Sequence, residues 1–161
     1  EIKYFKADLL QEGSYVEAMK GCELVIHSAS PFIINSKNPQ KDLIDPALNG
    51  TENVFKTVQK TDSVKRVVLT SSCAAIYGDG KDTLDYPNQT MTEDLWNTTS
   101  SLKQTPYSYS KTLAEKEAWK IRRASLEQEG VLEQTTNCCR LPFWLRFLQS
   151  SLCFAGSFQI N

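Results

Sequence analysis

Residues 64–72 constrain the fold of this 161-residue chain more than any other segment. Val67, Val68 and Leu69 follow one another without a polar residue between them, and Ser72 ends the run. A strand that is apolar on both faces is typical of a parallel sheet, because helices cover such a sheet on each side. Parallel strands need crossover connections, so the surrounding sequence is expected to alternate between strand and helix.

The rest of the chain shows that alternation. Strands are predicted over residues 2–7 and 22–27, and helices over 14–21, 41–60 and 107–123. No internal repeat or low-complexity tract interrupts this order. The pattern therefore predicts an α/β fold with a parallel sheet and crossover helices.

Two of the predicted helices carry signals at their ends. Ser14, followed three residues later by Glu17, matches a capping box, and Gly21 can close that short helix. Pro46 lies near the beginning of the next helix, where a proline either occupies the first turns or kinks the helix. The apolar residues of that helix recur at helical spacing, which predicts an amphipathic helix packed on the sheet.

Charge and composition exclude several classes of partner. Eighteen basic and nineteen acidic side chains give a net charge of −1, which leaves no excess positive field for a nucleic acid or an anionic membrane. No apolar run is long enough to span a bilayer, and no secretory leader opens the sequence. The five cysteines include no Cys-x-x-Cys pair, which predicts no metal site and favours a reducing, cytoplasmic compartment. The predicted partner is a small molecule or another protein.

Tyr107 and Lys111 stand four residues apart in a predicted helix and therefore share one face. A tyrosine titrates near ~10, so forming tyrosinate at neutral pH costs roughly 4 kcal/mol. A cation about 4 Å away supplies roughly that much free energy at an effective dielectric near 20. A phenol placed in this way can exchange a proton with the oxygen of an alcohol or a carbonyl.

Spacing alone does not identify this pair, because Tyr77 and Lys81 have the same spacing. The glycines between Tyr77 and Lys81 indicate a loop, where the two side chains need not share a face. Tyr107 differs because a helix begins there and because Ser72 ends a buried strand upstream, where open α/β sheets place ligand chemistry. A serine hydroxyl at that edge can hold a substrate oxygen while Tyr107 moves the proton.

Four motifs of the chain resemble a single family. They are KADL at 6–9, GC at 21–22 with VIHSASP at 25–31, VVLTSS at 67–72 and YSYSKTLAE at 107–115. Together they resemble the dihydroflavonol reductase and cinnamoyl-CoA reductase group of extended short-chain dehydrogenases, within the NAD-dependent epimerase/dehydratase superfamily, over residues 1 to about 121. The resemblance implies a Rossmann-like, doubly wound parallel sheet and NADP(H) as the cofactor.

The resemblance also implies roles for the residues that match the family's motifs. It implies that Ser72 anchors the carbonyl, that Tyr107 is the acid or base, and that Lys111 modulates Tyr107 and holds the nicotinamide ribose. The further implied cofactor contacts are Asp8 and Leu9 by the adenine, and Ser28, Ala29 and Ser30 beside the cofactor. The implied reaction is hydride transfer between NADP(H) and a carbonyl or secondary alcohol of a small organic substrate.

The chain departs from the family in its first segment. The family begins with a strand, a glycine-rich turn and a helix that binds the pyrophosphate, and none of these precedes Glu1. In the order 3-2-1-4-5-6, strand 1 lies between strand 3 and strand 4, to which residues 2–7 and 22–27 correspond. The predicted sheet therefore lacks its first βαβ unit and its centre.

The chain also departs from the family in its last segment. Residues 134–140 do not resemble the family's sixth strand, and residues 142–155 are predicted to form a helix with a broad apolar face or to be the product of a mis-joined segment. The predicted organisation is a partial NAD(P)-binding domain over residues 1–121 and a divergent tail, helical or disordered, over residues 122–161.

Several alternatives stay open. The chain is alternatively a catalytically inactive fragment or interaction module that uses its apolar tail, or an enzyme like the nucleotide-sugar epimerases and dehydratases, which share the serine, tyrosine and lysine. Asp8 has an alternative role as the end of a strand or the cap of a helix. His27, the single histidine, is predicted to be a core residue. Cys73 is not expected to be a nucleophile, because no histidine is predicted to activate it.

Overall fold

The computed structural model describes residues 2–33, 35–127, 137–139 and 152–155. The described strands and α-helices are α1 (Val16–Met19), β1 (Leu24–His27), α2 (Asp45–Gln59), β2 (Arg66–Thr70), α3 (Pro106–Glu127), β3 (Asn137–Cys139) and β4 (Leu152–Ala155). A π-helical turn, Gln40–Ile44, leads into α2, and three 3₁₀ turns lie between β2 and α3: Cys73–Ala75, Gly80–Asp85 and Pro87–Gln89.

The described strands form one parallel sheet in the order β3-β2-β1-β4. In the central pair, Val25 lies opposite Val67 and Ile26 opposite Val68. Helix α2 is the crossover between β1 and β2, as the alternating pattern predicted. The α/β class with a parallel sheet is therefore confirmed.

Pro46 lies in the first turn of α2, where its missing N–H removes no helical hydrogen bond, so the predicted helix continues without a break after the π-helical turn.

One apolar cluster joins the sheet to the helices. Burying a side chain such as Phe55 stabilises the fold by about 1.5–3 kcal/mol. The buried members of the cluster are Tyr15, Met19, Val25, Val54, Phe55, Val58, Val64, Val67, Leu69 and Ala118.

The prediction that β2 is fully buried is wrong for one of its faces. Val67 and Leu69 are buried, whereas Val68 is half-buried and Arg66 and Thr70 are exposed. Successive side chains of a strand point to opposite faces, so the face of Val68 is the less completely covered one.

The predicted strand over residues 2–7 is also wrong, since none of these residues belongs to the sheet. A strand is held by hydrogen bonds to a neighbouring strand, and none of the described strands lies beside this segment. Ile2 and Tyr4 are exposed, at 78% and 90% of their surface.

The predicted capping box at α1 does not form. The hydroxyl of Ser14 donates to the backbone carbonyl of Asp8 at 2.6 Å, so it closes a turn and leaves Tyr15 as the helix N-cap without a side-chain hydrogen bond. The prediction for Gly21 is confirmed, because Gly21 has a φ of 73° directly after the helix, which glycine adopts at little cost.

The tail contributes two strands to the sheet. The predicted helix over residues 142–155 is wrong for Leu152–Ala155, which form β4, and the earlier part of that prediction lies outside the described residues. Strand β4 pairs with β1, where the sequence predicted an empty centre, and β3 pairs with β2, where the order 3-2-1-4-5-6 has its sixth strand. An open edge of a central strand exposes unpaired backbone groups, which explains why apolar tail segments pair there.

Helix α3 passes the predicted boundary at residue 121 and ends at Glu127. Among the helices in the described ranges, none is both long and apolar enough to cross a membrane.

Candidate active site

The carboxyl ends of β1 and β2 meet at one edge of the sheet because the two strands are parallel. Strand β2 ends at Thr70, and Ser72 lies two residues beyond it in an extended conformation, with φ −155° and ψ 152°. The oxygen of the Ser72 side chain accepts the backbone N–H of Ala74 at 3.2 Å and thereby caps the 3₁₀ turn Cys73–Ala75. Ser72 is thus held where the strand passes into a turn.

Tyr107 occupies the first turn of α3, directly after Pro106. Its hydroxyl interacts with the side chain of Ser72, which lowers the pKa of the phenol. Its ring forms a T-shaped contact with the Phe32 ring at a centroid distance of 5.1 Å. The structure therefore brings together the two hydroxyl groups that the sequence singled out, although 35 positions separate them in the chain.

Burial raises the pKa of the Tyr107 phenol, the hydrogen bond from Ser72 acts in the opposite direction, and the Cys73 thiol raises it further. The net direction is upward. The spacing of Tyr107 and Lys111 predicted a cation that lowers the pKa of the phenol, and this structure instead favours the neutral phenol. Without a bound cofactor and substrate, Tyr107 therefore carries its proton at neutral pH.

Lys111 explains this difference. The lysine lies on the same helix face as Tyr107 but is buried, with 7% of its surface exposed. Its ammonium donates a hydrogen bond to the backbone carbonyl of Thr70 at 3.3 Å. The lysine therefore ties α3 to the end of β2, below the two hydroxyl groups.

A buried carboxylate that the sequence analysis did not single out completes this helix face. Glu115 is 1% exposed, accepts the hydroxyl of Ser71 and accepts the indole N–H of Trp119 at 3.3 Å. One signal pointed to it: Tyr107, Lys111 and Glu115 follow one another at intervals of four residues, so all three lie on one face.

His27 ends β1 and is buried, with 1% of its surface exposed. Burial, and then the charge of Lys111, lower the pKa of its imidazole to about 4. Its Nδ1 atom has no hydrogen-bond partner among the described residues. The prediction that His27 is a core residue agrees with this burial.

The residues that the resemblance places along the cofactor fall into two groups. Ser28, Ala29 and Ser30 follow β1 directly, at the same edge as Ser72. Asp8 and Leu9 lie in the turn before α1, where the Asp8 carboxylate accepts the backbone N–H of Leu10 at 2.8 Å. Helix α2 holds this turn, because the Asn53 side-chain amide donates to the carbonyl of Leu9 at 2.9 Å. Cofactor contact by these five residues stays a prediction.

The second tyrosine–lysine pair does not form a comparable site. Tyr77 lies outside a helix and its hydroxyl contacts the exposed, free thiol of Cys73 at 3.8 Å, while Lys81 lies in the next 3₁₀ turn. The prediction of a loop is confirmed for Tyr77 and wrong for Lys81.

Residues 1–137 match the NAD dependent epimerase/dehydratase family. The chain belongs to that family. The match extends past residue 121, up to the start of β3, and so further than the motifs alone indicated. The parallel sheet with its crossover helix is a partial Rossmann-like fold of this family.

Among curated relatives, the chain is 44% identical to a cinnamoyl-CoA reductase of Medicago truncatula, over 74% of this chain and 37% of the relative. It is 40% identical to a dihydroflavonol 4-reductase of Gerbera hybrida, over 73% of this chain and 32% of the relative. The chain thus spans about a third of the length of these proteins.

Among solved structures, a yeast methylglyoxal/isovaleraldehyde reductase complexed with NADPH is similar at a TM-score of 0.67 and 30% sequence identity. The similarity covers 80% of this chain and 40% of that structure. Motifs, family and fold therefore agree that this chain is related to reductases.

Proposed function

We propose that this chain carries the proton-transfer centre of a reductase that transfers hydride from NADPH to the carbonyl of a small organic substrate, or the reverse. The observation that carries the proposal is the interaction of Ser72 with Tyr107 where β2 ends, together with the buried ammonium of Lys111 bonded to the last residue of that strand. Ligands of open α/β sheets bind at that edge. The reductases among the relatives support the same reading.

The donor set fits the nicotinamide end of such a cofactor. Lys111 is a buried cation next to the end of β2, and an ammonium is a donor that suits the hydroxyl groups of a ribose. Ser28, Ala29 and Ser30 line the adjacent exit of β1. We propose that these residues, with Asp8 and Leu9 further along, hold NADP(H). When bound, the cofactor supplies the hydride.

The residues of the chain supply the proton. Ser72 donates a hydrogen bond to the carbonyl oxygen of the substrate and holds it next to the phenol of Tyr107. The phenol of Tyr107 is protonated at neutral pH and can donate its proton to that oxygen as the carbonyl carbon accepts hydride. With a ketone the product is the alcohol; with a thioester the adduct then expels the thiol and the product is the aldehyde. Tyr107 recovers a proton from solvent.

The substrate class follows from the relatives. The names of two of them specify a cinnamoyl thioester and a dihydroflavonol, both of which carry a carbonyl group on a small aromatic compound. We propose that the substrate of this chain is of the same kind. The exposed ring of Phe32 beside Tyr107 offers an aromatic surface for it.

Binding of NADPH to the purified chain, followed by the fluorescence of the cofactor, tests the first half of the proposal. Saturable binding supports it, and no change at millimolar cofactor overturns it for this chain. Turnover with cinnamoyl-CoA and dihydroflavonols tests the second half. One NADPH consumed per product is the expected result. Product formed without net consumption of NADPH would identify an epimerase or dehydratase instead.

A further inference from the structure

Asn97 is a buried side chain in the segment between β2 and α3, with 5% of its surface exposed. Its backbone N–H donates to the carbonyl of Ala75 at 2.8 Å, and its side-chain amide donates to the carbonyl of Ala74 at the same distance. Both carbonyls belong to the 3₁₀ turn that Ser72 caps. Asn97 is therefore held to the turn that follows Ser72 by two hydrogen bonds.

The orientation of the Asn97 amide is defined by its partners. Its oxygen accepts the backbone N–H groups of Thr99 at 3.1 Å and Ser100 at 3.0 Å. A backbone N–H can only donate, so the nitrogen must face the carbonyl of Ala74 and the hydroxyl of Ser100, at 2.8 and 2.7 Å. The amide thus uses both its donor hydrogens and its acceptor oxygen.

The hydrogen bonds continue from Asn97 to the start of α3. The hydroxyl groups of Ser100 and Thr105 lie 2.7 Å apart, and that of Thr105 also donates to the carbonyl of Gln104 at 2.8 Å. Thr105 has a φ of 51°, which is strained for a β-branched residue, and it directly precedes Pro106 and Tyr107. One hydrogen-bond network therefore holds both the strained residue before α3 and the turn after Ser72.

A second buried group, the carboxylate of Asp82, is hydrogen-bonded to the same loop. The Asp82 carboxylate accepts the hydroxyl of Thr99 at 2.6 Å and the backbone N–H groups of Gly78 and Asp79 at 2.9 and 3.1 Å. Gly78 packs so closely that a Cβ there would collide with the hydroxyl of Ser100. The side chains around Asn97 and the backbone of Gly78 are thus closely packed.

We propose that Asn97 is a positioning residue that sets the separation of the Ser72 and Tyr107 hydroxyl groups. On one side, Ser72 caps the turn to which Asn97 is hydrogen-bonded. On the other side, Asn97 is linked through the hydroxyl groups of Ser100 and Thr105 to the start of α3, which carries Tyr107. The catalytic consequence rests on the proposed function, whereas the geometric effect is a property of the chain without cofactor. Asn97 touches neither of the two hydroxyl groups, so it acts through the backbone on both sides of the pair.

The test measures the titration of Tyr107, whose pKa the side chain of Ser72 lowers. Tyrosines are replaced biosynthetically by 3-fluorotyrosine, whose phenol is more acidic, and the ¹⁹F signal of residue 107 is assigned by its loss in Tyr107→Phe. Because the bond from Ser72 lowers the pKa of Tyr107, weakening it raises the midpoint of the titration. Ser72→Ala defines the largest expected rise.

Asn97→Ala is expected to raise the midpoint in the same direction as Ser72→Ala and by no more than that. Asn88→Ala is the matched control, because it removes an exposed asparagine from the same loop and is expected to leave the midpoint unchanged. A folded Asn97→Ala chain with an unchanged midpoint would overturn the proposal.

A pair of variants at Thr105 covers the case in which Asn97→Ala does not fold. Thr105→Val keeps the branched shape and loses the hydroxyl, while Thr105→Ser keeps the hydroxyl, and the residue is exposed, so both are expected to fold. The valine variant is expected to raise the midpoint and the serine variant to restore it. Equal midpoints in the two variants would count against the proposal.

A kinetic readout separates this proposal from the proposed function. If the chain reduces a carbonyl, Asn97→Ala is expected to lower kcat at least tenfold and to change KM for NADPH less than twofold. If the chain does not reduce a carbonyl, the ¹⁹F titration still decides the role of Asn97.

Discussion

The ammonium of Lys111 lowers the pKa of the buried imidazole of His27, although the two residues lie 84 positions apart in the chain. The helix that carries Tyr107 thereby places a positive charge beneath the ends of both β1 and β2. His27 is the single histidine of the chain, so its NMR signals report on this charge without ambiguity.

Removing the charge of Lys111 is expected to raise the pKa of His27. In the unmodified chain the Cε1–H signal of His27 is expected to titrate at about 4, and in Lys111→Met at a higher pH. The midpoint should stay below the ordinary value, because burial is the larger cause of the shift. Lys120→Met, which removes an exposed lysine of the same helix, serves as the control and should leave the midpoint in place. An unchanged midpoint in Lys111→Met would show that the two groups are not coupled.

Acid is expected to destabilise the chain through His27. The pKa of the imidazole is about 4 in the folded chain and about 6.5 when unfolded, so the unfolded chain binds the proton first. The stability that depends on the neutral imidazole is complete above about pH 6.5 and is lost as the pH falls towards 4. The loss amounts to about 3 kcal/mol.

Urea unfolding between pH 7 and pH 4 measures this loss, with His27→Gln as the reference that carries the same carboxylates but no imidazole. The difference in slope between the two chains isolates His27. If both chains lost stability in parallel, the imidazole would not be buried in its neutral form.

Gly50 in α2 is expected to be coupled to Leu9. A Cβ at position 50 would lie 2.5 Å from the Cγ atom of Leu9, and such overpacking costs about 1–3 kcal/mol. The higher helix propensity of alanine offsets about 1 kcal/mol of that cost. Gly50→Ala is therefore expected to be neutral or destabilising by up to about 2 kcal/mol, and stabilising by about 1 kcal/mol in a Leu9→Ala background.

The free energies of unfolding of the four chains in this cycle give the coupling. Gly80→Ala is the control, because a Cβ at position 80 meets nothing within 4 Å. The effect of Gly80→Ala on the free energy of unfolding should be the same whether residue 9 is leucine or alanine. Additive effects of Gly50→Ala and Leu9→Ala would show that the turn before α1 does not pack on α2.

Tyr107→Phe is expected to abolish carbonyl reduction and to preserve binding of NADPH. The variant loses the proton donor and keeps the ring that packs against Phe32, so the fold and the cofactor contacts persist. Steady-state turnover and cofactor fluorescence, measured on the same preparation, distinguish the two effects. Tyr109→Phe is the control that should retain turnover, because Tyr109 lies two positions further along and on the opposite side of the helix. Retained turnover in Tyr107→Phe would mean that another group supplies the proton.

Local sequence patterns predicted the elements whose type is set by the spacing of their own apolar residues and by their helix formers. The apolar run of β2, the helical spacing of α2 and the helix formers of α3 each gave the correct type of structure, because periodicity reflects which face is buried. The wrong predictions concern elements that need a distant partner. Residues 2–7 have the alternation of a strand but lie beside none of the described strands, and Ser14 bonds to Asp8 instead of capping α1.

The tail shows the same limit of local patterns in a segment that was predicted to be a helix and forms a strand. Leu152–Ala155 have helical apolar spacing in the sequence and form a strand in the structure. Their conformation follows from pairing with β1, whose buried backbone groups need partners. A local pattern does not specify which segment meets that need.

By itself, the sequence determined the α/β class, the central strands and helices, and the three residues Ser72, Tyr107 and Lys111 as a candidate site. Only the tertiary structure decided that the side chain of Ser72 interacts with Tyr107, that Lys111 bonds to the carbonyl of Thr70, and that Asn97 bonds to the turn after Ser72. The physical reason is that side-chain direction and hydrogen-bond partners depend on contacts between segments far apart in the chain, whereas periodicity and helix propensity act within a few residues.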